Sequence, residues 1–262
     1  MNKLLEIAIQ AAVSAGAGIM NIYSQEFIIS LKSDASPLTE ADKKANELIN
    51  TILGDTNIPI ISEENKQIDF NERINFESCW MVDPLDGTKE FIKRNGEFTV
   101  NIALIKNKRP VLGVIYVPVT KVLYYAIVAK NKGYKVELDS HYFSNTMKTR
   151  AQLLVPGIQI ENNLTVVASR SHLNTETESY IANLEQLGKK GSLISAGSSL
   201  KFCLLAEGKA NIYPRFTPTM EWDTAAGHAI CNAVGLKVMQ ADLNKELEYN
   251  KENLLNPFFI VQ

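Results

Sequence analysis

The sequence predicts an α/β protein in which helices lie on β-sheets. The first observation is that 45% of the 262 residues are apolar, enough to bury a large core. The second is a set of three β-rich segments between residues 98 and 130, separated by the turns "KNKRP" and "VTK". The third is the alternation of strand-like and helix-like segments after residue 163. Such alternation indicates helices packed against sheets.

The first predicted element is an amphipathic helix. Apolar residues recur at helical spacing through "MNKLLEIAIQAAVSAGAGIMNIY". Glu6 and Gln10 interrupt the apolar run, so we interpret it as a helix and not as a secretory signal. We expect no transmembrane segment, because no apolar run approaches the ~20 residues that a span requires. We expect a cytoplasmic protein, with peripheral attachment to the inner face of the cell membrane as an alternative that this helix suggests.

A second helix is predicted after Thr39. Thr39 and Asp42 have the spacing of a capping box, Pro37 closes the loop before them, and Gly54 ends the helix. The segments "IPIIS" and "CWMV" then have the pattern of short buried strands, each of which ends in acidic residues.

The rest of the chain predicts a meander followed by an alternating half. "FTVNIALI", "VLGVIYVP" and "VLYYAIVA" indicate an antiparallel meander. The strands "LTVVASRS", "SLISAG" and "ANIYPRF" then alternate with helices near 175–187, in "SSLKFCLLAEG" and in "WDTAAGHAICNAVG". We predict one domain over residues 1–262, with sub-regions 1–145 and 146–262, because no break in composition separates two independent domains.

Charge and cysteine content exclude several classes of protein. Lys and Arg number 27 against 29 for Asp and Glu, so a net charge of -2 gives no general attraction to nucleic acid. An anionic ligand therefore requires a local site, and we expect a small-molecule substrate and no nucleic acid polymer. The three cysteines contain no CxxC pair and are expected to be buried free thiols: Cys79, Cys203 and Cys231. The choice between a monomer and a homodimer stays open.

Acidic residues occur where apolar strands end and where helices begin. They lie in the segments "SDASP" (Asp34), "SEEN" (Glu63, Glu64), "DPLDGT" (Asp83, Asp86) and "WDTAAG" (Asp223). Each alone could be a turn or a helix cap, and Asp223 before "TAAGHA" would make a good N-cap. Trp80 and Trp222 are the only tryptophans, and both lie beside these aspartates. This coincidence favours a shared site.

Convergence of these carboxylates would require cations. Two unit charges ~4 Å apart repel by about 1 kcal/mol in water and about 4 kcal/mol at an effective dielectric of 20. Two divalent ions would balance four carboxylates, and ligands that are all oxygen favour Mg²⁺ over Zn²⁺. A metal pair suits phosphate chemistry, and the Gly87 backbone and the Thr88 hydroxyl fit a phosphate contact and a proton relay. The carboxylates expected to converge are Glu64, Asp83, Asp86 and Asp223.

Spacing excludes two other acidic sites. An EF-hand loop counted from Asp83 needs an acidic twelfth residue, and the chain has Arg94 there. Haloacid dehalogenase phosphatases carry one residue between the two aspartates of D-x-D-G-T, whereas two residues intervene here.

The motifs resemble those of a known superfamily. "SEEN", "WMVDPLDGTKEF" and "WDTAAGHA" are similar to the three signatures of the inositol monophosphatase superfamily of Mg²⁺-dependent, Li⁺-sensitive phosphatases. Matching segments also include "DASPLTEAD", "GSSLKFCLLAEG" and "YPRF", so the resemblance covers nearly the whole chain from residue 34 to 229. It implies a layered α-β-α-β-α sandwich. Among family members the chain is most similar to nucleotidases, which implies removal of the 3'-phosphate from adenosine 3',5'-bisphosphate, with its sulfated analogue as a further substrate and a place in sulfur metabolism.

The resemblance also implies roles for individual residues. Two or three Mg²⁺ ions would be held by Glu64, Asp83, the Leu85 carbonyl, Asp86 and Asp223. Thr88 paired with Asp34 would activate the nucleophilic water, with Glu64 as a further catalytic residue. The residues implied to contact the substrate are Glu64, Leu85, Asp86, Gly87, Thr88, His172, Ser198, Lys201, Arg215 and Asp223.

Two cations indicate which phosphate ester is bound. Lys201 and Arg215 lie in the segments that flank the last acidic motif, and Arg215 stands where inositol monophosphatases carry a Glu that binds substrate hydroxyls. A guanidinium there suits a second anionic group such as a 5'-phosphate. By the same resemblance, Ser198 would contact the nucleotide and His172 would lie near the adenine or the ribose.

Two other functions stay open. One is inositol monophosphatase or fructose-1,6-bisphosphatase activity, and the other is a non-catalytic regulator that binds metal or nucleotide. The presence of Asp34, Glu64 and Thr88 argues against the regulator, because binding alone needs no water activator. From the residues alone, Lys201 and Arg215 could also be solvated surface cations.

Overall fold

The structure, a computed structural model, describes residues 2–27, 29–31, 37–157, 163–169, 174–186 and 190–262. The α-helices in these ranges are α1 (Asn2–Tyr23), α2 (Glu40–Gly54), α3 (Phe70–Arg73), α4 (Thr88–Ile92), α5 (Thr175–Gln186), α6 (Leu200–Ala206) and α7 (Glu221–Ala233). Short 3₁₀ turns lie at Val128–Lys130 and Asn145–Arg150. The strands are β1 (Ile29–Leu31), β2 (Pro37–Thr39), β3 (Ile60–Ser62), β4 (Ser78–Asp86), β5 (Thr99–Lys106), β6 (Arg109–Val117), β7 (Val122–Ile127), β8 (Lys132–Glu137), β9 (Gln152–Leu153), β10 (Asn163–Ser169), β11 (Lys190–Ala196), β12 (Tyr213–Arg215), β13 (Val238–Gln240) and β14 (Phe259–Val261).

A seven-stranded sheet of order β3-β4-β5-β6-β7-β8-β9 forms the centre of the molecule. Strands β3 and β4 pair in parallel, which brings their carboxyl ends to the same edge, and the other neighbours pair antiparallel. The predicted meander is therefore confirmed as β5, β6 and β7. Parallel pairing of the first two strands places the acidic motifs that follow β3 and end β4 near each other.

Helices α1 and α2 form the outer layer on one face of this sheet. The capping box of α2 is confirmed, because Asp42 Oδ2 accepts hydrogen bonds from the Thr39 N–H at 2.7 Å and the Thr39 hydroxyl at 2.6 Å. Helix α1 packs on α2 and on β6, so closely that a Cβ at Gly16 would lie 2.4 Å from the Tyr116 ring. Both helices thus bury their apolar faces against the sheet.

The length of α1 corrects one expectation from the sequence. Its segment Lys3–Tyr23 is long and apolar enough, by length and composition, to cross a membrane, although no such run was expected. In the fold, however, 56% of that apolar window is buried inside the protein. The apolar surface of α1 is used in the core, so the helix gives no support to peripheral membrane attachment.

Helices α6 and α7 cover the opposite face of the central sheet and separate it from a second set of strands. That set comprises the parallel pair β10–β11 and the three-stranded sheet β12-β14-β13, joined by a bridge between Val166 and Ile212. Helix α5 packs on the far side of β11 and β12. The order of layers is helix, sheet, helix, sheet, helix, which confirms the predicted α-β-α-β-α sandwich.

Two apolar cores share the central sheet. Alternate residues of β5 point to opposite faces, so Val100 and Ile102 pack under α1 whereas Ala103 and Ile105 pack under α7. One sheet thus contributes to both cores, and the division into sub-regions at residue 146 stays a prediction. The three cysteines are free and buried, as expected.

Candidate active site

The "DPLDGT" motif begins inside β4 and ends at a tight turn. Pairing of β4 with β5 is regular up to Asp83 and shifts register before Asp86, so the backbone between the two aspartates bulges. Gly87 follows with a φ of 95°, in the left-handed region, and a Cβ there would lie 3.1 Å from the Glu97 carbonyl oxygen. The bulge and the glycine bend the chain, and Thr88 then opens the short helix α4.

A cavity of about 220 Å³ lies at this edge of the sheet. Acidic residues from β4 and α7 line it together with cationic residues from α6 and β12. Its lining comprises Glu63, Asp86, Gly87, Thr88, Lys89, Glu90, Ser169, Gly197, Ser198, Lys201, Phe202, Tyr213, Arg215, Thr219, Asp223 and Thr224.

The aspartates predicted from the motifs do converge. Burial is the largest cause that raises the pKa of Asp83 well above its usual range, and the charges of Glu63, Asp86 and Asp223 raise it further. Burial followed by the charge of Asp86 raises the pKa of Asp223 to about 8. Burial also raises the pKa of Asp86, although Lys201 and two hydrogen-bond donors oppose it. The carboxylates destabilise each other's charged forms, and a cation would relieve that repulsion.

Of the two glutamates in "SEEN", the structure places Glu63 in the lining of the cavity, whereas Glu64, the residue expected from the sequence, is not part of that lining. The Glu63 N–H donates to the Val82 carbonyl oxygen at 3.2 Å, which extends the β3–β4 pairing by one residue. Glu63 lines the cavity and raises the pKa of both Asp83 and Asp223. Both glutamates lie in the turn that follows β3.

The structure pairs the Thr88 hydroxyl with Asp42. Thr88 Oγ1 donates to Asp42 Oδ1 at 3.2 Å, and the Leu85 carbonyl oxygen lies 3.5 Å away. Asp34 lies outside the described residues. The sequence predicts Asp42 only as part of a capping box. In the structure its Oδ2 atom caps α2, and its Oδ1 atom accepts the hydrogen bond from Thr88.

Each aspartate of the cluster is oriented by hydrogen bonds to one of its oxygens. Asp83 Oδ1 accepts from the Leu85 N–H at 3.1 Å, and Asp223 Oδ2 accepts from the Met220 N–H at 2.8 Å. The latter contact corrects the expectation that Asp223 is an N-cap, because α7 begins two residues earlier, at Glu221. Asp86 Oδ2 accepts from Ser199 at 2.9 Å and from Asn101 at 3.1 Å. Neither Ser199 nor Asn101 was singled out in the sequence.

The donor set fits a hard divalent cation. The candidate ligands are carboxylates that neighbouring hydrogen-bond donors hold in place. Mg²⁺ prefers oxygen ligands of this kind. In the part of the chain that the structure describes, no group of three or more acidic, histidine or cysteine side chains is already arranged to hold a metal ion.

Lys201 is buried beside the cavity and is not a solvated surface residue. Only 4% of it is exposed, and its ammonium donates to the carbonyl oxygens of Ser198 and of Ala196, the latter at 3.4 Å. The ammonium also lies 5.4 Å from the centre of the Tyr213 ring. Burial, followed by the charge of Arg215, lowers the pKa of Lys201 to about 8. An anion in the cavity would stabilise its charged form.

Arg215 brings a second cation to the same cavity. Its Nη2 donates to the Pro218 carbonyl oxygen at 3.4 Å. Its Nε is buried and has no hydrogen-bond partner among the described residues. A buried donor without a partner costs free energy, which a bound acceptor would recover. Ser198 lines the cavity, whereas Leu85 is buried and is not among the lining residues. His172 lies outside the described residues.

Comparison with known proteins places the chain in a family. Residues 1–257 match the inositol monophosphatase family. The chain is 46% identical to the 3'(2'),5'-bisphosphate nucleotidase CysQ of Salmonella typhimurium, over 98% of this chain and 99% of that protein. It is 44% identical to the nucleotidase CysQ of Escherichia coli strain K12, over the same shares of the two chains.

Solved structures agree with the sequence comparison. The crystal structure of CysQ from Bacteroides thetaiotaomicron, a bacterial member of the inositol monophosphatase family, superposes with a TM-score of 0.89 at 50% identity, over 99% of this chain and 97% of that one. The more distant SaIMPase-II, solved with 2'AMP bound, shares the fold with a TM-score of 0.73 at 20% identity, over 99% of this chain and 89% of that one. The chain therefore belongs to the inositol monophosphatase family.

Proposed function

We propose that the protein is a Mg²⁺-dependent phosphomonoesterase that removes the 3'-phosphate from adenosine 3',5'-bisphosphate, giving AMP and phosphate. The observation that carries this proposal is a single cavity with a carboxylate cluster and two buried or half-buried cations, Lys201 and Arg215. The identity of 44 to 46% with nucleotidases named CysQ supports the choice of substrate. The sulfated analogue is a further proposed substrate. A cytoplasmic location and the choice between monomer and homodimer stay predictions.

The carboxylate cluster is the proposed metal site. The proposed ligands are Glu63, Asp83, the Leu85 carbonyl, Asp86 and Asp223, with Glu63 in the place expected for Glu64. When bound, two or three Mg²⁺ ions would neutralise the phosphate oxygens, lower the pKa of the attacking water and shield the leaving oxygen. The hydrogen bonds that Asp83, Asp86 and Asp223 accept orient these ligands before any ion binds.

Thr88 is the proposed activator of the attacking water. A hydroxyl has one hydrogen, and Thr88 donates it to Asp42. The remaining lone pairs of Thr88 Oγ1 can then accept a hydrogen bond from water, which orients the water oxygen towards the phosphorus. Asp42 would accept the proton that Thr88 passes on. Gly87 brings the backbone of the same turn close to the phosphate.

Lys201 and Arg215 are the proposed partners of the 5'-phosphate. Lys201 has used two of its three N–H groups on carbonyl oxygens within the described structure, which leaves one for a ligand. Arg215 offers its buried Nε as well as its remaining fork of donors. Both groups are cationic and line the cavity with Asp86, so an ester with a second anionic group is favoured over one that has hydroxyls alone.

Phosphate release from three esters tests this proposal. Adenosine 3',5'-bisphosphate, inositol 1-phosphate and fructose 1,6-bisphosphate would be compared at equal concentration with Mg²⁺, and we expect the nucleotide to be hydrolysed with the highest kcat/KM. If inositol 1-phosphate had the highest kcat/KM, the roles proposed for Lys201 and Arg215 would be contradicted. If the fructose ester had the highest value, the two cations could still bind a second phosphate, but the nucleotide would be rejected as the substrate. A non-catalytic regulator predicts no release from any ester, with or without a chelator.

Arg215→Ala is expected to separate bisphosphates from monophosphates. It removes a guanidinium that contacts the 5'-phosphate alone, so kcat/KM for adenosine 3',5'-bisphosphate should fall about 30-fold or more, since charge-assisted bonds contribute roughly 2 kcal/mol or more. For adenosine 3'-monophosphate the loss should stay within about threefold. Arg150→Ala, which removes an exposed guanidinium paired with Asp139, is the matched control and should leave both values unchanged. Equal losses with both nucleotides in Arg215→Ala would reject the second-phosphate contact.

A further inference from the structure

The turn at residues 197–199 lies next to Lys201, one of the cations that line the cavity. Lys201 follows this turn, and its ammonium is bound to the carbonyl oxygens of Ala196 and Ser198. Ser198 has a φ of 39°, in the left-handed region that a residue with a side chain rarely adopts. Such a conformation persists only where the surrounding structure fixes it. The position of Lys201 therefore depends on whatever holds the turn.

Three alternate residues hold the turn, the first just before β5 and the other two within it. Glu97 Oε2 accepts a hydrogen bond from the Gly197 N–H at 2.9 Å. Thr99 Oγ1 lies 3.2 Å from Ser198 Oγ, and Asn101 Nδ2 donates to Ser199 Oγ at 2.9 Å. Because side chains alternate along an extended chain, residues 97, 99 and 101 face the same side. We name these contacts the polar ladder: Glu97–Gly197, Thr99–Ser198 and Asn101–Ser199.

The first contact of the polar ladder is so close that only glycine fits. A Cβ at Gly197 would lie 2.9 Å from both the Cβ and the carbonyl oxygen of Glu97, and 3.0 Å from Glu90 Cγ. The backbone of the turn therefore lies directly against residues 90 and 97. Thr99 and Asn101 are buried, at 0% and 1% exposure, so these two side chains of the polar ladder are also shielded from water. Both conditions restrict movement of the turn relative to β5.

The number of hydrogens that each side chain can donate determines the direction of the hydrogen bonds in the polar ladder. Asn101 donates through its amide nitrogen to Asp86 Oδ2 at 3.1 Å, so its Oδ1 is the acceptor of the Thr99 hydroxyl at 2.9 Å. Thr99 has then used its only hydrogen, and Ser198 must donate to Thr99. The chain of donors runs from Ser198 to Asp86. It connects the turn that precedes Lys201 to a carboxylate of the proposed metal site.

We propose that the polar ladder sets the separation between the reacting phosphate and the second anionic group, and that Glu97 and Thr99 are positioning residues for bisphosphorylated substrates. This rests on the proposed function, because it assigns Lys201 to the second anion. Neither Glu97 nor Thr99 is among the described residues that line the cavity, so each acts through the turn. The reacting phosphate lies at Asp86 and Thr88 and the second anion at Lys201, and the polar ladder joins the two places.

Two substitutions of Thr99 test the proposal. Thr99→Val removes the hydroxyl at nearly constant volume, whereas Thr99→Ser keeps it. In Thr99→Val we expect kcat/KM for adenosine 3',5'-bisphosphate to fall tenfold or more, mainly through a higher KM. For adenosine 3'-monophosphate, which lacks the second anion, we expect a fall of less than threefold. Thr99→Ser should restore the wild-type ratio between the two nucleotides.

Two outcomes would contradict the proposed role of the polar ladder. Wild-type kinetics in Thr99→Val, or equal losses with both nucleotides, would reject a positioning role for the polar ladder. Thermal unfolding of each variant shows whether it folds. If Thr99→Val does not fold, Glu97→Ala, at a half-buried position, allows the same comparison between the two nucleotides. Failure of the proposed function would look different, because the wild-type protein itself would then release no phosphate from adenosine 3',5'-bisphosphate.

Discussion

Asp83→Asn should lower kcat/KM for the bisphosphate nucleotide by about 10³-fold or more and should at the same time stabilise the protein in a chelator. The loss of activity follows from the loss of a ligand charge, because the proposed Mg²⁺ ions contribute several kcal/mol to the stabilisation of the transition state. Phosphate release at saturating Mg²⁺ measures it. Activity near that of the wild type would contradict the proposed metal site.

The gain in stability has a different cause. Burial and the neighbouring carboxylates raise the pKa of Asp83 in the folded state above its ordinary value of 3.8, so at pH 7 its charge opposes folding. Asn carries no charge, and the metal-free variant should melt a few degrees higher, given about 2 to 4 °C for each kcal/mol in a protein of this size. The difference should shrink as the pH falls from 7 towards 4, where Asp83 is protonated in the folded state and increasingly so in the unfolded state.

Asp139→Asn is the matched control for Asp83→Asn. Asp139 is exposed, pairs with Arg150 at 2.9 Å and is not among the residues that line the cavity. We expect its activity and its response to Mg²⁺ to equal those of the wild type. Addition of Mg²⁺ should raise the melting temperature of the wild type and of Asp139→Asn but should have much less effect on Asp83→Asn. An equal Mg²⁺ response in all three proteins would show that the ion binds elsewhere.

Thr88→Val should lower kcat by about 10² to 10³-fold and leave KM within a few-fold of the wild-type value. The expected size is that of a general acid–base contribution, and the unchanged KM follows because the water contact matters most in the transition state. Steady-state kinetics with adenosine 3',5'-bisphosphate measures both quantities. Thr88→Ser keeps the hydroxyl and should retain most of the activity.

A double substitution tests whether Thr88 and Asp42 act as a pair. Thr88 Oγ1 donates to Asp42 Oδ1 at 3.2 Å, so Asp42→Asn should also lower kcat. If the two residues relay one proton, Thr88→Val combined with Asp42→Asn should cost little more than the larger single loss. Fully additive losses would mean that the two residues contribute independently, against the proposed relay.

Structural features that depend on a short stretch of the chain could be predicted from the sequence. The capping box at Thr39 and Asp42, the meander and the convergence of acidic strand ends all follow from local patterns, and the structure has each of them. Acidic residues at the ends of neighbouring strands meet because the strands pair side by side. The pairing of β3 with β4 brings "SEEN" to the edge where β4 ends.

The choice between Glu63 and Glu64 could not be read from the sequence. Strand β3 has three residues, too few to show which face each side chain takes. The position of Glu63 depends on the contact between its N–H and the Val82 carbonyl oxygen, which joins two segments that are nearly twenty residues apart in sequence. The partners of Thr99 and Asn101 are hidden for the same reason, since Ser198 and Ser199 lie about a hundred residues away.

The two contacts of Asp42 restrict which residues can replace it. At the third position of a helix, Glu or Gln would complete a capping box equally well, so α2 alone would tolerate either. The Oδ1 atom that receives the Thr88 hydroxyl imposes a second requirement, since a longer side chain would move that oxygen. Designs that optimise the start of α2 for thermostability should therefore keep Asp42 fixed, because a better helix at this position would come with a slower enzyme.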